Sequence, residues 1–137
     1  IIMATQKGTE DWASGIKIEK TGLPKKITNW IKNYKEKNNI LTKNILLPVS
    51  VKTRIGYDEI VTESWIETLL STNPANITLH GRTLKQLYSG EANWEEISKA
   101  AKLAKDTTTT LLGNGDIKSM EDLKKYVYIQ EKTQLKI

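Results

Sequence analysis

The sequence predicts an α/β protein in which three parallel strands alternate with helices. Runs rich in β-branched residues predict strands within 48–56, 76–81 and 107–117, at a repeat of about 30 residues. An amphipathic helical pattern follows each of these strands. Such alternation is typical of a parallel sheet with its helices packed outside. The length of 137 residues corresponds to a single domain.

The composition excludes several classes of protein. The sequence contains no cysteine, which excludes disulfides and thiolate metal sites within it and is typical of a reducing cytoplasm. Its single histidine, His80, argues against a zinc site. No apolar run approaches the ~18 residues that a membrane-spanning helix requires. We therefore expect a cytoplasmic protein with neither a metal ion nor a membrane as a partner.

The net charge of +5 is concentrated at the start of the sequence. Residues 1–50 contain nine lysines and four acidic residues, whereas residues 51–137 contain twelve basic and twelve acidic ones. Apolar residues in this part recur at helical spacing, at Ile27, Trp30, Ile31 and Tyr34. This spacing predicts an amphipathic helix that buries its apolar stripe and exposes its lysines. A surface that binds RNA through lysines and aromatic rings is the alternative.

The same basic block, residues 17–43, precedes the first predicted strand. Its length indicates an insertion of about 25 residues in a helix-to-strand connection, where 2–6 residues are usual. Residues 1–12 are expected to complete the helix before it. Because a helix-to-strand connection enters a parallel strand at its amino end, we expect this block to lie far from a site at the carboxyl ends.

Capping signals mark the starts of the three later helices. Thr62 is expected to cap the first of them, which begins with TESWIETLLSTN. Asn93, with Glu96 three residues later, predicts the start of the second. Ser119 is expected to cap the third.

Two architectures share this alternation, a doubly wound open sheet and a (β/α)8 barrel. In the first strand Val51 and Thr53 point one way, while Lys52 and Arg54 point the other. Strands of a doubly wound sheet are apolar on both faces, whereas a barrel strand packs its outer face on helices. We therefore predict a partial TIM (β/α)8 barrel of about three consecutive βα units plus an N-terminal helical, basic segment.

Polar side chains gather where the three predicted strands end. They are Lys52, Arg54, His80, Arg82, Asn114 and Asp116. The active sites of barrels lie at this end of the strands, so we expect these residues to line one site. A lysine suits an anionic ligand, and the glycines of GNGD let the backbone approach it closely. The residues alone therefore predict a site for a phosphorylated or heteroaromatic cofactor, although a lone histidine is by default a core residue.

Three stretches carry a resemblance to a known family: LPVSVKTRIGYD, PANITLHGRTLKQLYSGEANWEEI and LLGNGDIKSMEDL. Over about residues 46–127 the sequence resembles the tRNA-dihydrouridine synthases, flavoenzymes with a TIM barrel and a smaller helical domain. The resemblance implies FMN as the cofactor, NADPH as the hydride donor and tRNA as the partner. It further implies that uridine is reduced to 5,6-dihydrouridine after the base leaves its stack.

The resemblance also implies roles for individual residues. Lys52 is expected to contact the flavin ring, and His80 the flavin phosphate or the ring edge. The flavin-phosphate side is expected to be lined by Asn114, Gly115 and Asp116. Arg54 and Arg82 are expected to contact the flipped uridine or its phosphate.

Two departures from the family pattern stand out. The cysteine that protonates the uracil in the family has no counterpart, and no strand ending in Gly-Arg follows EDLKKYV. We therefore expect an internal fragment or a broken gene, inactive by itself. It would comprise a helical, basic connection (1–47), a βαβαβα core (48–127) of a flavin-binding TIM barrel and a divergent tail (128–137). Another FMN- or phosphate-binding barrel oxidoreductase and a non-catalytic RNA-binding remnant remain the alternatives.

Overall fold

Strands and helices alternate along the chain in the computed structural model, which describes residues 1–133 and the side chains up to residue 126. The helices are α1 (Ile2–Ala13), α2 (Lys25–Lys37), α3 (Thr62–Leu70), α4 (Trp94–Ala104) and α5 (Met120–Thr133). The strands are β1 (Ser50–Arg54), β2 (Asn76–His80) and β3 (Thr110–Asn114). The predicted βαβαβα order and the α/β class are confirmed. Helix α5 extends into the predicted tail, of which residues 134–137 lie outside the described residues.

The three strands form one parallel sheet in the order β1-β2-β3. In the register of the sheet, Lys52 pairs with Thr78. Two residues later along each strand, Arg54 pairs with His80, and His80 pairs with Asn114. Since side chains alternate along a strand, Arg54, His80 and Asn114 share one face at the carboxyl end of the sheet. The opposite face is apolar.

Helices α3 and α4 pack on each other and cover this apolar face. The core consists of buried side chains from β2, β3, these helices and adjacent loops: Ile55, Ile66, Leu69, Ile77, Leu79, Ala92, Trp94, Ile97, Ala100, Ala101, Ala104 and Leu111. A Cβ atom built on Gly113 of β3 would lie 2.8 Å from Cζ3 of Trp94 and 3.1 Å from Cγ2 of Ile97. A glycine at this position therefore allows α4 to pack closely against β3.

The capping predictions are confirmed for two helices and wrong for one. The Asn93 side chain accepts a hydrogen bond from the backbone N–H of Glu96, 3.1 Å away, and Ser119 Oγ accepts one from the N–H of Asp122, also at 3.1 Å. Thr62, in contrast, is the first residue within α3, and its side chain is buried. The turn closed by the N–H of Val61 on the carbonyl of Ile55 carries Thr62 into the interior, away from the capping position.

The chain divides into two compact units, one of residues 1 and 3–48 and the other of residues 2 and 49–137. In the first unit both predicted helices are present, as α1 and α2. The predicted burial of the α2 stripe is wrong: Trp30 is 63% exposed and Tyr34 50% exposed, and their rings stack on each other at 5.4 Å. The buried residue of α2 is Thr28, and the helix contacts the 3-10 turn at Ile18–Lys20.

Within the described part of the chain, no helix combines the length and apolar character needed to span a bilayer.

Gly113→Ala is expected to lower the free energy of unfolding by about 1–3 kcal/mol, because the added methyl group collides with Trp94 and Ile97. Urea denaturation of the 137-residue chain, followed by circular dichroism, measures this change. Gly8→Ala in α1 is the control, since a Cβ there meets no atom within 4 Å. Equal unfolding midpoints for the two variants would contradict the packing described.

Candidate cofactor-binding site

A cavity of about 800 Å3 opens at the carboxyl ends of β2 and β3. It is lined by five of the predicted site residues: His80, Arg82, Asn114, Gly115 and Asp116. The parallel register explains their proximity, since His80 and Asn114 are directly paired and the other three follow in the next turns. The structure thus brings these five residues to one cavity, and their roles in binding a ligand stay a prediction.

Lys52 reaches the same cluster from β1. Its Nζ donates a hydrogen bond to Oδ1 of Asn114, 3.1 Å away, across the intervening strand β2. This bond orients the Asn114 amide so that its oxygen is used and its NH2 group remains available as a donor. Lys52 and Asn114 are both exposed, so together they offer a cation and amide donors to a ligand.

The environment of His80 fixes its proton on one ring nitrogen. The backbone N–H of Arg82 donates to Nδ1 of His80 at 3.2 Å, so Nδ1 is an acceptor and the neutral ring carries its proton on Nε2. Burial of the ring and the positive charges of Arg54, Lys52 and Arg82 lower the pKa of His80 below 6.5, with Asp116 acting in the opposite sense. At neutral pH His80 is therefore a neutral donor through Nε2.

Gly115 forms the floor of a narrow cradle beside His80. Its φ of +131° is accessible to glycine, and a Cβ atom there would lie 2.6 Å from Cβ of Ala92 and 3.7 Å from Nε2 of His80. The next residue, Asp116, also has a positive φ, of +57°. The chain thus turns sharply after β3, packs closely against Ala92 and lines the cavity next to the Nε2 donor.

Arg82 and Asp116 are paired with each other. Nη2 of Arg82 donates to Oδ2 of Asp116 at 2.8 Å and to the carbonyl oxygen of Gly90 at 2.6 Å. The same Oδ2 accepts the backbone N–H of Ala92 at 2.6 Å. The Ala92 N–H and the Arg82 guanidinium hold the pKa of Asp116 below its usual value, so this carboxylate is ionised at neutral pH.

Arg54 is directed to the loop that follows β2. Its Nη1 donates to the carbonyl oxygen of Thr83 at 3.0 Å, and the side chain is half-buried. Both arginines expected to contact the substrate therefore bind backbone carbonyls of the loop 83–92. Arg54 lies in the row of His80 and Asn114 at the edge of the site.

Two further residues of the site carried no assigned role in the sequence. Tyr88, 92% exposed, lies at the border of the cavity, and the indole Nε1 of Trp94 donates to the carbonyl oxygen of Gly115 at 3.1 Å. The position of Tyr88, an aromatic residue between HGRT and the next helix, could have indicated that it lies at the site. The contact of Trp94 had no signal, because it joins positions 21 residues apart through the fold.

The donor set is suited to an anionic, planar ligand. It combines the ammonium of Lys52, the Nε2–H of His80 and the amide of Asn114, and the backbone of Gly115 lines the same cavity. Phosphate and carbonyl oxygens are the usual acceptors for such groups. Among the described residues, no group of three or more histidine, cysteine, aspartate or glutamate side chains could hold a metal ion.

Comparison with known proteins identifies the family. The model of the dihydrouridine synthase family (Dus) matches residues 24–131, and the chain belongs to this family. The chain is 37% identical over 79 residues to a probable tRNA-dihydrouridine synthase of Aquifex aeolicus, covering 58% of the chain and 24% of that protein. It is 42% identical over 77 residues to probable tRNA-dihydrouridine synthase 1 of Synechocystis, covering 55% and 21%.

A relative from Xenopus laevis, a tRNA-dihydrouridine(47) synthase-like protein with NAD(P)(+) in its name, is 42% identical over 78 residues, which are 56% of the chain and 12% of that protein. The chain thus spans a quarter or less of the length of these three relatives. The family match begins at Pro24, so it includes α2. The interpretation of residues 17–43 as an insertion stays a prediction.

The pKa of His80 is expected to lie below 6.5 and to rise in Lys52→Met, because one of the positive charges that disfavour the imidazolium is removed. His80 is the only histidine of the 137-residue chain, so its ring protons give a single, assigned NMR titration. Lys85→Met is the control, since that charge pairs with Asp58 at the surface. A pKa above 6.5, or an identical shift in both variants, would contradict the electrostatics described.

Proposed function

We propose that this chain is the flavin-binding segment of a tRNA-dihydrouridine synthase, which reduces uridine in tRNA to 5,6-dihydrouridine with NAD(P)H and bound FMN. The observation that carries the proposal is the convergence of Lys52, His80 and Asn114 at one end of a parallel sheet, within a chain of the dihydrouridine synthase family. The names of the three relatives support tRNA as the substrate class, and one of them supports a nicotinamide donor.

FMN is the cofactor that this donor set fits, and it would supply the redox chemistry when bound. Lys52 would hold the ring by placing a positive charge beside it, where a flavin could supply the redox chemistry. His80, neutral and protonated on Nε2, donates a hydrogen bond without adding a second charge. Asn114 and the backbone of Gly115 bind and orient the phosphate side. In this proposal Arg54, which shares the row of His80 and Asn114, is the candidate contact for a substrate phosphate or base.

The architecture proposed for the complete fold is a TIM barrel of which β1, β2 and β3 are consecutive strands. Two observations support it: each connection runs through a helix between neighbouring parallel strands, and the strands leave one polar and one apolar face. In the described part of the chain the outer edges of β1 and β3 pair with no strand, and a barrel removes such edges. The domain boundaries at residues 47 and 127 and a cytoplasmic location remain predictions.

Replacement of the donors is expected to remove the flavin from the full-length gene product. In His80→Ala and Lys52→Met, bound FMN falls about ten-fold or more, because each variant loses a hydrogen bond to a charged or polarised group. Absorbance of the purified protein measures the flavin, and mass spectrometry of treated tRNA measures conversion of uridine to dihydrouridine.

The control reverses two charges on α2, Lys25→Glu with Lys26→Glu, and is expected to leave the flavin content unchanged. The reverse pattern, with flavin lost only on charge reversal, would reject the site. A wild-type protein that binds FMN but turns over a small metabolite without RNA would instead support a different flavin-dependent oxidoreductase.

A further inference from the structure

The charged side chains of Arg82 and Asp116 have a different task from ligand binding. We propose that Arg82 is a positioning residue, which acts through Asp116 to fix the loop 83–92 against the turn after β3 and so sets the width of the cradle beside His80. The inference rests on the proposed function, because the ligand of that cradle is the flavin. It assigns Arg82 a role other than the substrate contact expected from the sequence.

The geometry of the pair is that of a clasp with three attachment points. Arg82 stands at the end of β2 and reaches both the start of α4 and the turn after β3. Its Nη2 binds Oδ2 of Asp116 and the carbonyl oxygen of Gly90, and the same Oδ2 holds the backbone N–H of Ala92. One nitrogen and one oxygen thus join three separate chain segments within 2.6–2.8 Å.

Burial argues against a role in binding RNA directly. The side chain of Arg82 is 8% exposed and that of Asp116 is 27% exposed. Nε of Arg82 is fully buried and has no hydrogen-bond partner among the described atoms. A substrate phosphate that drew Nη2 away from Asp116 and from the carbonyl of Gly90 would break an ion pair whose arginine is only 8% exposed, which is unfavourable.

The clasp is coupled to the cradle through Ala92 and Gly115. The Cβ position of Gly115 lies 2.6 Å from Cβ of Ala92 and 3.6 Å from Cε1 of His80, so the space beside His80 depends on where the clasp holds Ala92. The backbone of Arg82 adds a second link, because its N–H occupies Nδ1 of His80. Loss of the clasp therefore releases the loop and widens the cradle while the donors of Lys52, His80 and Asn114 are retained.

The experiment measures FMN affinity, RNA affinity and loop protection separately, in the full-length gene product. Arg82→Met and Asp116→Asn break the clasp from either side, and the double variant closes a mutant cycle. Lys85→Met is the matched control, since it removes one cation from the same loop, and its contacts with Asp58 and the Tyr57 ring lie at the surface. FMN binding to the deflavinated protein, the KM for tRNA at saturating FMN, and hydrogen exchange of the Ala92 amide are measured for each.

The expected result is a loss of FMN affinity of about ten-fold in each single variant and little further loss in the double variant, as for two residues acting as a unit. The Ala92 amide exchanges faster, the KM for tRNA changes by less than about two-fold, and Lys85→Met behaves as wild type. Because Asp116→Asn preserves the shape of the side chain, it tests the clasp even if Arg82→Met fails to fold.

Three results would overturn the inference. A large rise in the KM for tRNA with unchanged FMN affinity in Arg82→Met would identify Arg82 as a substrate contact. Loss of FMN in Arg82→Met but not in Asp116→Asn would show that Arg82 acts on the flavin directly. Unchanged exchange at Ala92 in both variants would show that no clasp holds the loop. Wild-type protein that binds no FMN would refute the proposed function instead, and the exchange data alone would then decide whether the clasp exists.

Discussion

The parallel register of the three strands is the constraint on which the rest of the site depends. It places Arg54, His80 and Asn114 in one row, although 26 and 34 residues of chain separate the neighbouring pairs. Parallel strands direct their carboxyl ends to the same edge, so each following turn adds to the same cavity. A slip of one residue in any strand would turn its polar side chain to the helical face, where the apolar core excludes it.

Close packing of α4 against β3 fixes the position of the turn that lines the site. Gly113 lets Trp94 approach the strand, and the indole N–H of Trp94 then binds the carbonyl of Gly115. The ring of Trp94 also stacks on Tyr126 of α5, with centroids 4.1 Å apart. Trp94, a core residue, therefore holds the turn after β3 on the side of the core, while the turn lines the cavity on its other side. Stability and site geometry thus depend on the same contact.

Local patterns predicted the part of the fold that local physics determines. Alternation of polar and apolar residues identified β2, with Ile77 and Leu79 buried, and the side chain of Asn93 predicted the start of α4. The failures concern tertiary surroundings. Thr62 has the chemistry of a cap but lies one position inside its helix, and Trp30 lies in an apolar stripe yet is 63% exposed. For Thr62 the outcome is decided by the turn that joins Val61 to Ile55, which the residue types of a capping motif do not show.

At the site, the motifs identified which residues lie there but not how their side chains pair with each other. The motifs HGRT and GNGD indicated that Arg82 and Asp116 belong near the ligand, and both border the cavity. The motifs could not indicate that the two side chains satisfy each other, because the pair spans 34 residues and depends on the strand register. A charge near a ligand is available to it only if no partner in the protein holds it more strongly. Lys52 and His80 meet that condition, and Arg82 does not.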